Sequence, residues 1–508
     1  MIKNDKSNTP CSSPIMCNAA DTQSTLHNLQ DEIFKQMRTY VNDQGLTVDI
    51  YSAEKHIFSY LQQMGLLLLQ EVIANHNGGK VDEVINEQGT ALPYHSMKKR
   101  TYISFFGKLE FERAYYWCTG ENGFYPLDAK LNMPENMYSY YLSEWVQDSV
   151  ADGAYDKAIQ RYSNLLNIPL SKLCQENITQ DAGGSSDDFY RQKDTSLFKE
   201  EGSTICIQAD CKGVRMIPSE KPQTSPATPQ GPRLGKGQKR GLKRDSVVTV
   251  DYTFDPVIRT PIQMIERLMR ENKDKKNDTI SFVRNPQVAA SMDGKSVAFD
   301  RLAERIKMRD PCGIKDIVIL VDGEPALEMR LHAMMEQMAF TKRVQATILD
   351  IIHVMEYVWK AATALYGENN NQRVKWVRKQ GQAILEGRVG RVIGAIKQII
   401  TKQNEALVES AQDTLEKVIR YFTNHRHMMQ YDQYLAKGYQ IATGMAEGAC
   451  GSLVKDRAEI SGAKWSKKGV QAVLNLRAVK KNNDWNNFWH FYMNHKKIKL
   501  YGNFTFAI

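Results

Sequence analysis

Two short apolar runs, each stopping on an aspartate, constrain this 508-residue chain more than any other feature. Thr204-Ile205-Cys206-Ile207-Gln208-Ala209 leads into Asp210. Asp316-Ile317-Val318-Ile319-Leu320-Val321 leads into Asp322, with Gly323 after it. Runs of this length, rich in β-branched residues and not alternating with polar ones, fit strands buried on both faces of a sheet. Their aspartates then fall at the carboxyl ends of neighbouring strands. A third acidic residue, Glu447, opens the helix-like segment Met445-Ala446-Glu447-Gly448-Ala449-Cys450-Gly451. Two carboxylates at adjacent strand ends, with a third on a covering helix, make an oxygen-rich pocket suited to Mg²⁺. A pair of such ions can stabilise both the attacking and the leaving oxygen of a phosphodiester.

The chain is too long for one ordinary domain, and three or four units are expected. Residues 1–24, rich in Ser, Thr, Asn and Asp, read as a disordered tail. Region 25–137 begins with amphipathic helices: Leu26, Leu29, Ile33 and Met37 recur at helical spacing, and 57–72 continues the pattern. Residues 100–116 alternate around Gly107 and predict a two-stranded β-ribbon, either a structural hairpin or one that faces nucleic acid. Region 138–200 returns to helix. A helix over 154–166 and another over 170–177, separated by Asn167-Ile168-Pro169, form either a simple αα-hairpin or a helix-turn-helix whose second helix enters a major groove.

Region 201–326 alternates strand and helix patterns. Strands are expected at 205–210, 213–217 (bent from or paired with the first), 246–254 and 317–321, and helices at 262–270 and 297–308. The Pro/Ser/Thr/Gln-rich stretch 218–233 reads as a linker. This pattern predicts one sheet with helices on both faces. Region 327–444 shows no strand signal and is expected to be an all-helical insertion, with long helices over 344–365 and 371–403. Region 445–480 then carries Glu447, and 481–508 is taken as a C-terminal tail.

Net charge is +9, with the cations clustered. Lys236, Lys239, Arg240, Lys243 and Arg244 lie in one glycine-rich run. Lys455, Arg457, Lys464, Lys467 and Lys468 lie in a second basic region that follows Glu447. Either cluster is a solvated face or a polyanion contact, and their closeness in sequence to the acidic residues favours DNA. Trp465, beside Lys464, either stacks on an unpaired base or packs against the sheet. The eight cysteines are scattered with no CxxC pair, which fits reduced thiols and gives neither a zinc ribbon nor a disulfide framework. No unbroken apolar run approaches the roughly 20 residues of a membrane span, so no membrane partner is expected.

As an ordered set, several segments resemble the DDE transposases of bacterial insertion sequences, most closely the ISKra family, which is related to the Mutator-like transposases. The matching pieces are Phe106-Gly107-Lys108-Leu109-Glu110-Phe111-Glu112-Arg113-Ala114-Tyr115-Tyr116, Arg309-Asp310-Pro311, Leu320-Val321-Asp322-Gly323, Ile348-Leu349-Asp350-Ile351-Ile352-His353 through Trp359, Glu447-Gly448-Ala449-Cys450 through Arg457, Ser461-Gly462-Ala463-Lys464-Trp465-Ser466, and Leu476-Arg477-Ala478. The likeness spans about residues 100 to 480, and no single piece suffices alone.

The resemblance implies a multidomain α/β chain: an RNase H-like catalytic core (a mixed sheet flanked by helices) interrupted by the all-helical insertion, with N-terminal helical and β-ribbon DNA-binding regions. It implies that Asp210, Asp322 and Glu447 are the catalytic and metal-binding triad for two Mg²⁺ ions, with Mn²⁺ able to substitute. Asp350 and His353 match the Asp-x-x-His element of Mutator-like enzymes. They either pair with each other or orient phosphate or water beside the triad, and the second role is favoured. The implied partners are double-stranded DNA, both terminal inverted repeats and target, and further copies of the chain as a homodimer or higher oligomer. The implied location is the bacterial cytoplasm, at the nucleoid. An RNase H-like nuclease without strand transfer, and a non-catalytic DNA-binding descendant of a transposase, are the alternatives.

Overall fold

The chain divides into two units, Met1–Ser185 with Trp485–Ile508, and Ser186–Asp484. The computed structural model describes residues 22–45, 47–193, 200–218, 243–271, 283–402, 408–441 and 444–506.

In the first unit, the expected helices are α1 (Thr22–Gln44) and α2 (Ile50–Ala74), which pack as a hairpin, and the Asp49 side chain caps α2 by accepting from the Ser52 amide. The two helices run antiparallel, since Gln30 bonds Glu71 at one end and Tyr40 stacks on His56 at the other. Among the described helices, α2 is long and apolar enough to cross a membrane. No unbroken run marks it in the sequence, because its apolar residues are interrupted by polar ones and spread over two faces.

Two short strands, β1 (Val84–Asn86) and β2 (Ala91–Leu92), precede the ribbon β3 (Tyr94–Ser104) and β4 (Gly107–Tyr116). The ribbon is in register from Ser96↔Tyr115 to Ser104↔Gly107, and it begins earlier than its alternation suggests. Two of its cations point inward. Buried Arg100 donates to Asp128 Oδ2 at 2.6 Å, and Arg113 pairs with the same carboxylate while lying over the Tyr125 ring. Asp128 sits on the short helix α3 (Pro126–Lys130).

Next come α4 (Tyr140–Asp152), α5 (Tyr155–Leu166) and α6 (Lys172–Gly184) around a core that includes Leu142, Val146, Tyr162 and Ile178. Asn167 ends α5 in the left-handed region and Ser171 caps α6, as the Asn-Ile-Pro turn predicts. The expected C-terminal tail is folded. Trp485–Tyr501 is a helix and Phe504–Phe506 pairs antiparallel with β1. Its aromatic residues explain this: Phe504 stacks on Phe124 at 4.3 Å, and Trp489 is nearly fully buried.

The second unit opens with α7 (Ser186–Gln192) and then the strand β5 (Thr204–Arg215). It continues through β6 (Lys243–Phe254), α8 (Pro261–Leu268), β7 (Arg284–Ser291), α9 (Lys295–Arg309), β8 (Asp316–Val321), α10 (Pro325–Gln337) and β9 (Val344–Leu349). One mixed sheet results, in the order β7-β6-β5-β8-β9. Strands β5, β6 and β7 are antiparallel neighbours, whereas β8 runs parallel to β5 and β9 parallel to β8. The two apolar runs are the neighbouring strands β5 and β8 inside this sheet. Ile205, Ile207, Ile317 and Ile319 are fully buried.

Helices lie on both faces. Ile207 opposes Asp251 across β5–β6, and on that face Asp251 holds Arg305 (2.6 Å) and Arg309 (3.1 Å) of α9. The other face carries Gln208 and Asp210.

Four expectations need correction. β5 is a single strand through Gly213, because β6 pairs with it along its whole length, so Asp210 lies within the strand and not at its carboxyl end. β7 was not expected. Its Pro286 and small residues suppress a strand signal, and the sheet tolerates the proline because β7 is an edge. The supposed helix over 344–365 begins as β9, and only α11 (Ile351–Tyr366) is helical. A run of Val, Ala, Thr, Ile and Leu suits either period, and a free edge beside β8 decides for strand. The insertion therefore starts after β9, with α11, α12 (Asn371–Leu385), α13 (Val389–Lys402), α14 (Glu409–His425) and α15 (Tyr431–Ala436). Finally, the expected helix over 371–403 breaks at Gly387, which has φ +74°, and a Cβ there would meet the Asp432 carboxylate.

The chain returns to the sheet through α16 (Met445–Ala449), a π-helical turn over Cys450–Lys455, α17 (Asp456–Ala458) and α18 (Lys467–Lys481). α18 packs at the sheet's edge, where Gln471 exchanges hydrogen bonds with the backbone of Ala290 and Met292.

Candidate functional site

The register of the parallel strands places three aspartates side by side. β5 and β8 pair from Thr204↔Asp316 to Gln208↔Leu320, so two further residues bring Asp210 level with Asp322. β8 and β9 pair up to Val321↔Leu349, and the Asp350 amide donates to the Val321 carbonyl at 2.8 Å, so Asp350 is level with Asp322. Neighbouring strands lie about 4.8 Å apart, and residues level in a parallel pair share a face. The carboxylates of Asp210, Asp322 and Asp350 therefore form a row where β8 and β9 end beside the middle of β5. Together with Gln208, His353 and Glu447 they line a hollow of about 20 Å³.

Each aspartate commits one oxygen to a backbone amide. Asp210 Oδ1 accepts from Cys211 (2.5 Å), Asp322 Oδ1 from Glu324 (2.9 Å) and Asp350 Oδ1 from Ile352 (2.8 Å). The last bond also caps α11, which is why Asp350 stands where a strand becomes a helix. Burial raises the pKa of Asp322. The Glu324 amide and His353 oppose this rise, and the charge of Asp210 adds to it. Asp350 is raised further, to about 6, again by burial first, with Glu447 and Asp322 adding to it against the Ile352 amide and His353. Desolvation therefore outweighs mutual repulsion as the cause of high titration in this row.

Glu447 reaches the row through a contact that the apolar-run argument passes over. Gln208, buried within β5, accepts from the Ala446 amide at 2.9 Å with its Oε1, and its Nε2 donates to the Tyr252 hydroxyl. Ala446 lies in the first turn of α16, whose amides have no partner within the helix, and no side chain at the N-cap supplies one. The sheet itself caps the helix that carries Glu447, from a residue two positions before Asp210. Glu447 itself is exposed. Behind it the buried Cys450 thiol is pushed well above the usual range, by burial and then by the charge of Asp210. The signal for Gln208 was present in the sequence, as a glutamine inside an otherwise apolar strand.

The loop after Asp322 is clamped from the insertion. The Tyr421 hydroxyl of α14 donates to the Asp322 carbonyl at 2.9 Å, and His425 Nε2 lies 3.0 Å from the Gly323 carbonyl. Gly323 has φ +96°, and a Cβ there would stand 3.1 Å from both Leu349 and the Tyr421 hydroxyl. This close approach accounts for the Asp-Gly pair.

The basic residues divide. Lys243 and Arg244 are exposed at the start of β6, and Lys236, Lys239 and Arg240 lie outside the described residues. Lys455, Lys464, Lys467 and Lys468 are exposed, with Lys467 paired to Asp293 at 2.7 Å. Arg457 and Trp465 face inward, Trp465 taking the second of its two readings and packing against the sheet. Trp465 is buried, its indole donates to the Ala458 carbonyl, and its backbone bridges the end of β5 at Arg215 and Ile217. Arg457 is buried against that ring at 4.7 Å. The pair holds the 455–466 segment on the sheet and presents neither group to a ligand.

The oxygen donors suit a hard divalent cation in type, and they come from the interior of β5, the ends of β8 and β9, and a covering helix. Among the described residues, no three His, Cys, Asp or Glu groups are drawn together tightly enough to enclose an ion. No family model matches the sequence, and no curated protein matches it.

Proposed function

We propose that this chain is a DDE-type DNA transposase with an RNase H-like core, acting on the terminal inverted repeats of its own insertion sequence. The observation that carries the reading is the row of level aspartates on β5, β8 and β9, with the Glu447 helix capped by Gln208 beside it. A mixed sheet flanked by helices, with an insertion between the second aspartate and the glutamate, is the architecture this reading requires.

Asp210, Asp322 and Glu447 would hold Mg²⁺, with Mn²⁺ able to substitute. When bound, two such ions would stabilise the attacking and leaving oxygens of the scissile phosphodiester. Asp350, capping α11 and set beside Asp322, fixes the second edge of the row. His353, one turn into the same helix, supplies a donor at the hollow. Exposed Lys455, Lys464, Lys467 and Lys468 follow the glutamate and would hold the phosphate backbone, joined by Lys243 and Arg244. The α5–α6 pair and the β3–β4 ribbon would contribute recognition of the repeats.

The test is cleavage of end-labelled DNA that carries the gene's flanking sequences, with Mg²⁺ or Mn²⁺, by the native chain and by Asp322→Asn. Metal-dependent nicking at a defined boundary, lost in the variant while DNA affinity is kept, is expected. Joined products would separate strand transfer from simple hydrolysis. Cleavage that survives Asp322→Asn would overturn the assignment, and binding without nicking would favour a non-catalytic DNA-binding protein.

A further inference from the structure

We infer that the hollow between α11 and α14 is a nucleotide site, taking one planar base together with its phosphate. The nucleotide is either free or an unpaired residue of a strand, because both present the same two groups. The site does not depend on the reaction at the carboxylates.

Helices α11 and α14 lie side by side, with Val358 and Val418 buried on them. Outside this core they leave a hollow of about 550 Å³, a size that suits a small-molecule pocket. Its wall is aromatic. Tyr357 of α11 and Tyr421 of α14 stack there with ring centres 3.8 Å apart and planes 5° from parallel. The lining also carries three cations, Lys360, Lys417 and Arg420, and among the described residues no carboxylate lines it. Lys360 lies 3.8 Å from Glu356 and Lys417 lies 2.6 Å from Asp413, each partner one turn back on the same helix. Arg420 is exposed and, among the described residues, makes no ion pair. A second hollow of about 510 Å³ lies between α13 and α14, and Arg420 and Asn424 line both. Glu416 lines that second hollow, which makes the first the better place for an anion.

An aromatic wall beside convergent cations and one carboxamide selects a planar ligand that carries a phosphate. Tyr421 covers one face of the Tyr357 ring, and the Lys360 ammonium lies over the other at 4.4 Å. An exposed ammonium on a ring is a weaker partner than a stacked base. The Lys360 side chain is 55% exposed, so a phosphate can draw it aside and leave that face to the base. Arg420 presents a planar fork that matches phosphate oxygens. Asn424, about one turn beyond Tyr421, offers a donor and an acceptor to a base edge. A simple anion would leave the tyrosine pair unused, and an apolar ligand would bury the three cations. The Tyr421 hydroxyl donates to the Asp322 carbonyl at 2.9 Å, so two stacked rings separate the bound base from the loop after Asp322.

The experiment is equilibrium titration of the full chain with AMP, with a short single-stranded oligodeoxyadenylate and with inorganic phosphate. EDTA is present throughout, so no divalent ion bridges a phosphate to the carboxylates, and cleavage plays no part in the readout. AMP or the oligonucleotide is expected to bind. Tyr357→Leu should weaken that binding at least about 10-fold, Tyr357→Phe should keep it, and Arg420→Gln should weaken it about 10-fold. Arg420 is exposed, so Arg420→Gln keeps the native melt and separates a lost contact from a lost fold. Binding of AMP assigns the site to free nucleotides. Binding of the oligonucleotide alone, with the same dependence on Tyr357 and Arg420, assigns it to a strand. No binding of either at millimolar concentration would overturn the inference. So would binding that the substitutions leave unchanged, or inorganic phosphate that binds as tightly as the nucleotide.

Discussion

Replacing Gln208 with leucine isolates the link between the sheet and the helix that carries Glu447. The side chain is buried and its Oε1 takes the Ala446 amide at 2.9 Å, in a helical turn that has no other side-chain cap. Leucine keeps the volume and removes the acceptor. Loss of a helix cap costs about 0.5–2 kcal/mol, and a buried unsatisfied donor about 1–3 kcal/mol. A local cost of about 2 kcal/mol corresponds to a roughly 30-fold larger opened fraction of α16. Hydrogen–deuterium exchange of peptides covering 444–450 should accelerate by about that factor, while β5 and β8 keep their protection. Cleavage should fall about 10-fold or more in kcat, with DNA affinity unchanged, because the glutamate loses its position and the phosphate contacts do not. Unchanged exchange at Ala446 would refute Gln208 as the cap. Faster exchange with full cleavage would refute the part assigned to Glu447.

Asp350 should leave a signature in the pH dependence of stability. Its pKa is raised to about 6, so the folded chain holds this proton more tightly than the unfolded one. The resulting stabilisation is fully present below about pH 4 and is lost as pH rises through 6, a swing on the order of 3 kcal/mol. Asp350→Asn should flatten that part of the profile in denaturant titrations and melt higher at pH 7; an unchanged slope between pH 4 and 6.5 would contradict the burial argument. Arg457→Ala should lower stability by about 2 kcal/mol through the lost contact with Trp465, and leave the salt dependence of DNA binding unaltered. Lys468→Ala should do the reverse, with an unchanged melting temperature and a log K against log salt slope shallower by about 0.9. Equal effects of the two on affinity would undo the division between buried and exposed cations.

The corrections follow one physical pattern. Segments whose partner is implied by their own composition were legible: apolar runs become central strands, Asn-Ile-Pro becomes a turn, and alternation about Gly107 becomes a ribbon. Segments whose state depends on a neighbour were not. Residues 344–349 carry a pattern that suits strand or helix, and the open edge of β8 decides it. Pro286 argues against a strand until the strand is seen to be an edge. Arg457 and Trp465 look like a basic, aromatic contact for nucleic acid, and only packing shows that each is the other's partner. Residues 485–506 lack the runs of a core helix, yet their aromatic side chains find Phe124 and close a small sheet with β1.

By itself the sequence determined that Asp322 follows a buried strand, that Asp210 closes an apolar run within one, and that Glu447 opens a helix, because strand burial and helix starts are local properties of composition and spacing. It also carried Asp350 and His353, one turn apart. The tertiary structure alone decided that Asp350 stands level with the other two aspartates, since that depends on β9 pairing in parallel register with β8 some 28 residues away. It alone decided that Gln208 caps α16, a bond between residues 238 positions apart. Register and long-range hydrogen bonds are properties of pairs of segments, and no window of the chain contains both members.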